Sequence, residues 1–320
     1  MSEYQELPIE EPSNLFTKIF SRHRTSQQAF PKKDRKLAFL FLSPSLLLLG
    51  LLVVIPMGYA FYVSISKLEM AGGSFNYSFT GLSNYQRLFA DPRFLPSLKL
   101  TAEFTVWRVI GAILLGLTVA LVLNEASLAA RILKRLFLIP WALSFVVNAI
   151  MWGWMYNASY GIINEILYEL GLISQFRSWL GDPNTALHAL TIAEIWKAIP
   201  FVALVILAGI QAIPTELYEA AKVDGANVID RFLHITLPGI RPVILVSLVI
   251  QTMWSIMAFT TVWTLTQGGP TDSSMLLNVL AYQQSFMFLR LDYGAALAFV
   301  MTLLILALTV IYLSIIKIED

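Results

Sequence analysis

Long apolar runs alternate with short polar segments along the chain. Six runs reach the roughly 20 residues that a helix needs to cross the hydrocarbon core of a bilayer. They lie at about 37–66, 100–123, 132–156, 187–211, 241–267 and 293–316. The pattern predicts an all-α, polytopic membrane protein with six transmembrane helices.

The composition agrees with this class and excludes several others. Of the 320 residues, 57% are hydrophobic and 13% are charged, which is more apolar surface than a soluble domain of this length can bury. The net charge of +1, with no massed basic patch, argues against a nucleic-acid partner. The absence of cysteine excludes disulfides and thiolate metal sites. His23, His188 and His234 lack ligand spacing, so no metal site is expected.

The distribution of basic residues predicts the orientation of the spans, because segments rich in Lys and Arg stay in the cytoplasm. Such residues precede the first span, separate the second from the third and the fourth from the fifth, and end the chain: Lys18, Arg22, Arg24, Lys32, Lys33, Arg35, Lys36; Arg131, Lys134, Arg135; Lys222, Arg231, Arg241; Lys317. The opposite loops carry fewer: Lys67, Arg87, Arg93, Arg177 and Arg290. Both termini are therefore predicted to be cytoplasmic.

Residues 1–36 form a predicted cytoplasmic tail ahead of the transmembrane domain, 37–320. Its first residues are acidic and broken by proline, which is typical of disorder. Residues 15–24 are either an interfacial helix, with four apolar side chains on one side and basic ones beside them, or a disordered basic tail.

The segment 215–238, hereafter the connector, is polar where a short turn would join two spans. Thr215 is placed to cap a helix that begins at Glu216 and ends at Gly225, which tolerates positive φ. Asn227 is placed to cap a second short helix, which is expected to stop before Pro238. From spacing alone, the connector is either a solvated helical loop or a docking surface for a partner.

Three stretches of the chain resemble the inner-membrane permease subunits of bacterial carbohydrate ABC importers of the maltose and glycerol-3-phosphate type. Glu219-Ala220-Ala221, Asp224-Gly225-Ala226 and Ile235-Thr236-Leu237-Pro238 resemble the EAA signature of that family. FTGLSNYQRLFADPRF, residues 79–94, and LTQGGPTDSS, residues 265–274, are similar to its carbohydrate-uptake members. The resemblance covers the chain from about residue 37 to its end.

This resemblance implies a type I ABC importer permease fold in which the connector docks as a coupling helix on an ATPase subunit. The residues that it assigns to ATPase coupling are Glu219, Ala220, Ala221, Asp224, Gly225, Ala226, Leu237 and Pro238. It also implies a location in the bacterial cytoplasmic (inner) membrane, in contact with lipid.

The chain has no GxxxxGK[ST] phosphate-binding loop, so ATP must be bound by another polypeptide. It is expected to be no enzyme itself and to bind no cofactor, with ATP and Mg²⁺ held by the ATPase subunits. The partners implied by the resemblance are a second homologous permease, two copies of the ATP-binding subunit, an extracytoplasmic solute-binding protein and a sugar-like solute.

Polar and aromatic residues inside the spans are candidates for solute binding, because an unpaired polar group in hydrocarbon is costly. Three helix faces carry them and are predicted to converge on a cavity: Asn148 and Trp152; Glu194, Lys197 and Phe201; Gln251, Trp254 and Ser255. Carboxylate, amide and hydroxyl groups suit sugar hydroxyls, and Trp and Phe suit the apolar face of a sugar ring.

Alternative interpretations give the same residues other roles. Glu194 and Lys197 could form an ion pair that only holds the helices together, while Arg108 and Glu103 are interpreted as structural or interfacial. In an ion- or proton-coupled secondary transporter, Glu194 and Lys197 would be the relay and no partner subunits would be needed. A polytopic membrane enzyme is disfavoured, since no catalytic constellation is recognisable.

Overall fold

A computed structural model of the protein describes residues 32–71, 74–125, 132 and 136–315. The predicted tail up to residue 31, with its two alternatives, lies outside the described residues. The chain divides into two compact units, one ending at Gly58 and one beginning at Tyr59. The first unit contains helix α1 (Lys32–Leu49), a π-helical segment (Gly50–Val54) and the start of α2 (Ile55–Ser64).

The second unit is helical except for one hairpin in its described part. The hairpin consists of β1 (Ser66–Ala71) and β2 (Ser74–Phe79). The helices after it are α3 (Ser83–Ala90), α4 (Phe94–Leu123), α5 (Ile139–Ala142), α6 (Phe145–Met155), α7 (Ile162–Glu169), α8 (Ala186–Gln211), α9 (Thr215–Val223), α10 (Val228–Arg231), α11 (Leu237–Gly239), α12 (Arg241–Ile256), α13 (Phe259–Leu265), α14 (Leu277–Tyr282) and α15 (Leu291–Ile315). Two π-helical segments, Phe232–Thr236 and Gln283–Met287, follow α10 and α14.

Four of the six predicted spans are unbroken helices of sufficient length and apolarity: Phe39–Ser64, Phe94–Leu123, Ala186–Gln211 and Leu291–Ser314. The connector helix Val228–Gly239 and α12 together give a fifth candidate, bent by 62°. The all-α polytopic class is thereby confirmed. The third and fifth predicted spans, 132–156 and 241–267, differ from the prediction because each is divided by a break.

The break in the third span is made by Leu143 and Ser144. Both have extended backbone, with ψ of 142° and 155°, so the helical hydrogen-bond ladder stops. The Ser144 hydroxyl then accepts from the N–H of Val147 at 3.2 Å and caps α6. Ser144, although it lies inside an apolar run, is therefore the N-cap of a new helix.

The break in the fifth span is an inverse γ-turn at Ala258. Its φ of −71° and ψ of 71° are the values of that turn, and Phe259 donates its N–H to the Met257 carbonyl at 2.8 Å. Beyond the turn, α13 packs against α6. Both divided spans therefore meet each other near their breaks.

The long helices α4 and α8 pack along each other and form the centre of the second unit. The small residues Ala112, Gly116 and Ala120 of α4 are buried in this contact, as expected of a close-packing face. A Cβ on Gly116 would lie 2.5 Å from the Val202 side chain of α8, so only glycine permits this approach. In α8, 61% of the apolar stretch is buried, against 33% in α4.

The hairpin is tied to the helices by polar side chains. The amide of Asn84 in α3 donates to the carbonyl oxygens of Ser64 and Ser66, at 3.0 and 2.8 Å. At the start of α15, the Asp292 carboxylate accepts from the Leu68 N–H at 3.2 Å. The motif-bearing stretch 79–94 therefore builds one end of the helical bundle.

Candidate functional site

A cavity of about 650 Å³ lies where the two broken spans meet α4 and α8. Its lining comes from α4, α8, both sides of the break at Leu143 and both sides of the break at Ala258. The lining residues are Arg108, Trp141, Leu143, Ser144, Phe145, Glu194, Lys197, Ala198, Trp254, Met257, Ala258, Phe259, Thr260 and Thr261. Irregular backbone at membrane depth is tolerated where it lines a cavity, and both breaks do so.

Aromatic rings make up much of the cavity wall. Trp254 and Trp141 line the cavity, and the ring of Phe201 lies next to both, with centroids 4.8 Å from Trp254 and 6.4 Å from Trp141. Phe259 lines the cavity and stacks on Trp263 at 5.6 Å. The wall therefore presents exposed indole and phenyl faces, and further aromatic rings pack behind them.

A buried ion pair closes another side of the cavity. Arg108 Nε donates to Glu194 Oε2 at 3.2 Å, and the two side chains are only 4% and 2% exposed. The other Glu194 oxygen accepts from the Thr261 hydroxyl. Arg108 Nη1 donates to the backbone and side-chain oxygens of Gln251, at 3.0 and 3.1 Å. The network joins α4, α8, α12 and α13.

Lys197 does not form the ion pair with Glu194 that its spacing along the helix suggested. Its ammonium donates to the carbonyl oxygens of Pro140 (3.3 Å), Trp141 (3.4 Å) and Leu143, and it lies 4.7 Å from the centre of the Phe145 ring. The suggested Glu194–Lys197 ion pair is therefore wrong for this structure. Arg108 takes the carboxylate, because its guanidinium can bond Glu194 and Gln251 together.

The eight predicted solute-binding residues are partly brought together. Glu194, Lys197 and Trp254 line the cavity; Phe201 packs behind its aromatic wall and Gln251 holds Arg108. The remaining three residues, Asn148, Trp152 and Ser255, are buried and do not line it. Trp152 instead packs against Tyr156 and Trp196. The prediction that all three faces converge is therefore too broad.

Sequence reasoning did not place Arg108, Thr261 or Trp141 at the cavity, although it interpreted Arg108 as structural or interfacial, and the buried ion pair agrees with a structural role. Arg108 had a detectable signal: it lies four residues before Ala112, on the face that continues through Gly116 and Ala120, so a buried partner could have been expected. Thr261 and Trp141 had none, because both reach the cavity only through the backbone breaks. Glu103 lies outside the cavity, in a second depression with Arg93 and Asp272.

The connector has the expected helix-turn-helix form. After α9, Gly225 has φ of +83°; its N–H bonds the Lys222 carbonyl at 3.1 Å and the Ala226 N–H bonds the Ala221 carbonyl at 2.8 Å. These two bonds constitute a Schellman motif. Asn227 accepts from Ile229 and Asp230 and forms a full capping box. The predicted C-terminal glycine and second cap are confirmed.

Two details of the connector prediction are wrong. Thr215 is the first residue of α9 and makes no capping bond, because Pro214 occupies the cap position. The second helix does not stop before Pro238. The π-helical segment Phe232–Thr236 shifts the hydrogen-bond register, so that Pro238 falls in the first turn of α11, where its missing N–H is not needed.

The predicted coupling residues of the connector are accessible. Glu219, Ala220, Asp224, Gly225 and Pro238 are exposed, and Ala221, Ala226 and Leu237 are half-buried. Around Gly225, the apolar side chains Val223, Val228 and Ile229 are 88%, 71% and 67% exposed. The Tyr218 hydroxyl lies 2.9 Å from that of Thr236 and joins the two halves of the connector. An exposed apolar patch of this kind is typical of a protein interface.

A helical membrane fold with a polar, aromatic-walled cavity and an exposed polar connector is compatible with a membrane transport subunit. The family described as "Binding-protein-dependent transport system inner membrane component" matches residues 112–320. The chain belongs to this family, which confirms the predicted class. Within the described residues, no group of three His, Asp or Glu side chains could hold a metal ion.

The chain is similar to two sugar permeases over most of its length. It is 39% identical to the sulfoquinovosyl glycerol transport system permease protein SmoG of Agrobacterium fabrum, over 90% of this chain and 92% of the relative. It is 36% identical to the trehalose/maltose transport system permease protein MalF of Thermococcus litoralis, over 88% and 94%. The comparisons give no support to the secondary-transporter alternative.

The fold is also that of a solved importer. A crystal structure of a bacterial ABC transporter involved in the import of the acidic polysaccharide alginate matches with a TM-score of 0.76 and 22% sequence identity, over 94% of this chain and 98% of that one. The type I permease fold is thereby confirmed. The chain is the membrane subunit, and ATP hydrolysis is carried out by separate ATPase subunits.

We predict that the Arg108–Glu194 pair is essential to stability. Arg108→Met leaves a buried carboxylate uncompensated, and the expected loss is about 3–5 kcal/mol. Adding Glu194→Gln should restore most of it, because the buried charge is then gone. The free energy of unfolding of the purified chain in mild detergent, followed by circular dichroism, measures both effects.

Arg93→Met is the matched control, since the Arg93–Asp91 pair is longer, at 3.7 Å, and more exposed. Its expected cost is below about 1 kcal/mol. Equal stability of the Arg108→Met variant and the unaltered chain would contradict the prediction.

Proposed function

We propose that the chain forms half of the pathway by which a sugar-like solute, such as a disaccharide, oligosaccharide or glycosylated osmolyte, crosses the cytoplasmic membrane. The observation that carries this proposal is the cavity at the two helix breaks. Its volume of about 650 Å³ is within the range of small-molecule sites. Alternate exposure of this cavity to each side of the membrane would carry the solute across.

The chemistry of the lining suits a sugar. The exposed faces of Trp254 and Trp141 can cover the apolar C–H face of a pyranose ring. The hydroxyl of Thr260, which is half-buried in the lining, can bond its hydroxyl groups. The relatives with sugar-related names, SmoG and MalF, support the same solute class.

The partners follow from the family and from the connector. The family is binding-protein-dependent, so an extracytoplasmic protein delivers the solute. A second permease completes the pathway, and two ATPase subunits supply ATP and Mg²⁺ binding. The exposed surface of the connector around Glu219 and Gly225 is the proposed docking site for an ATPase subunit. Each turn of the ATPase cycle would move the connector as a rigid unit.

The orientation that we propose places both termini and the connector in the cytoplasm, as the basic residues indicate. Since the chain has no cysteine, single cysteines can report each side. In intact cells, a membrane-impermeant maleimide should label Lys67→Cys and leave Ser2→Cys and Lys222→Cys unlabelled until the cells are opened. Labelling of Lys222→Cys in intact cells would contradict the proposed topology and indicate the opposite orientation.

The sugar assignment is tested with the reconstituted importer and radiolabelled sugars retained by its binding protein. Trp254→Ala removes ring stacking worth about 0.5–1.5 kcal/mol, so ATP-driven uptake should fall between about twofold and tenfold, and Trp254→Phe should retain most of it. Trp154, which is exposed and does not line the cavity, is the control position for the same change to alanine. Unchanged uptake by Trp254→Ala would count against the site.

The coupling assignment predicts variants that insert in the membrane and hydrolyse ATP without import. Glu219→Lys should reduce uptake at least tenfold while ATPase activity continues, because it reverses a charge on the docking surface. Glu169→Lys, the same change at another exposed glutamate, on α7, should transport normally.

Gly225 offers a second test of coupling. A Cβ there would meet nothing within 4 Å, but φ is +83°, so a β-branched side chain strains the backbone without crowding. Gly225→Val should uncouple ATP hydrolysis from uptake, as Glu219→Lys does. Gly225→Asn should not, because asparagine tolerates this conformation. Wild-type uptake by both Glu219→Lys and Gly225→Val would refute the docking proposal.

A further inference from the structure

The formal charges in the cavity do not cancel. Three charged side chains line it, Arg108, Glu194 and Lys197. Arg108 and Glu194 neutralise each other at 3.2 Å within their own buried network. Lys197 remains, so the lining carries one excess positive charge.

No charged group pairs directly with Lys197 within the part of the chain that the structure describes. Glu194, three residues earlier on α8, acts on it at longer range, but the charge of Glu194 is already matched by Arg108. No carboxylate lies within 4.0 Å of its ammonium, since the ion pairs found there are Lys67–Glu69, Arg93–Asp91 and Arg108–Glu194. Its acceptors are the neutral carbonyl oxygens of residues 140, 141 and 143. Carbonyl dipoles and the Phe145 ring orient the ammonium and reduce its desolvation cost, but they leave its net charge in place.

We propose that the solute is a sugar derivative with a single negative charge, a carboxylate or sulfonate, and that Lys197 is the residue that selects it. This inference rests on the proposed sugar pathway and narrows its substrate class. An anionic group near Lys197 would neutralise the lining that this chain contributes, whereas a neutral sugar of the same shape leaves an unpaired cation in a buried position. The aromatic wall would hold the ring and Lys197 would hold the acid group.

A purely structural role for Lys197 makes a different prediction. If its bonds to residues 140–143 only fix the broken span, its loss lowers stability and weakens neutral and anionic solutes equally. If it selects the charge, its loss changes the ratio between the two. The ratio of dissociation constants is therefore the decisive readout.

The experiment uses the complete importer in detergent and three probes that share one ring: methyl glucoside, methyl glucuronide and methyl 6-deoxy-6-sulfoglucoside. Quenching of tryptophan fluorescence reports binding, since Trp141 and Trp254 line the cavity. We expect at least one anionic probe to bind tenfold or more tightly than the neutral one. Lys197→Gln should reduce that preference to below threefold, and Lys197→Arg should keep it.

Lys67→Gln removes an exposed positive charge outside the cavity and should leave the preference unchanged. Equal or tighter binding of the neutral probe to the unaltered importer overturns the inference without any variant. A folded Lys197→Gln importer that keeps the full preference overturns the role of Lys197. If none of the three probes binds, the inference is overturned, and the sugar pathway is judged separately by the uptake of sugars retained by the binding protein; binding of the neutral probe alone leaves the pathway standing and removes only the charge selection.

Discussion

The ion pair between Arg108 and Glu194 is the interaction on which the arrangement of the second unit depends. Two charges inside an apolar bundle are tolerated when they pair closely and accept or donate further hydrogen bonds. Gln251 and Thr261 supply such bonds, and these four residues come from four different helices. The pair therefore fixes the relative position of α4, α8, α12 and α13, and with it one side of the cavity.

The cavity exists because two spans are interrupted. An unbroken helix uses its backbone N–H and C=O groups in its own hydrogen bonds and offers only side chains to a solute. A break leaves carbonyl oxygens without these bonds and opens space between helices. At Leu143 the released oxygens are taken up by Lys197, and at Ala258 a γ-turn takes up one of them. The breaks thus supply both the room and the polar character that a solute pathway needs.

The long spans and the connector caps could be predicted from sequence because they depend on local patterns. Run length identified α4, α8 and α15, and Gly225 and Asn227 marked the turn of the connector. The breaks could not be predicted, since Ser144 and Ala258 are unremarkable within apolar runs. The partner of Glu194 was missed for a related reason: spacing along α8 pointed to Lys197, whereas the stronger partner, Arg108, lies on another helix.

The connector and the cavity are joined by two continuous helices. From the cavity, α8 runs from Lys197 to Gln211 just before the connector, and α12 leaves the connector at Arg241 and reaches the cavity at Trp254. Each path is about 20 Å at 1.5 Å per residue. The charged wall and the aromatic wall are therefore attached to opposite ends of the same connector. A displacement of the connector would be transmitted along both helices, and any difference between the two movements would change the width of the cavity between them.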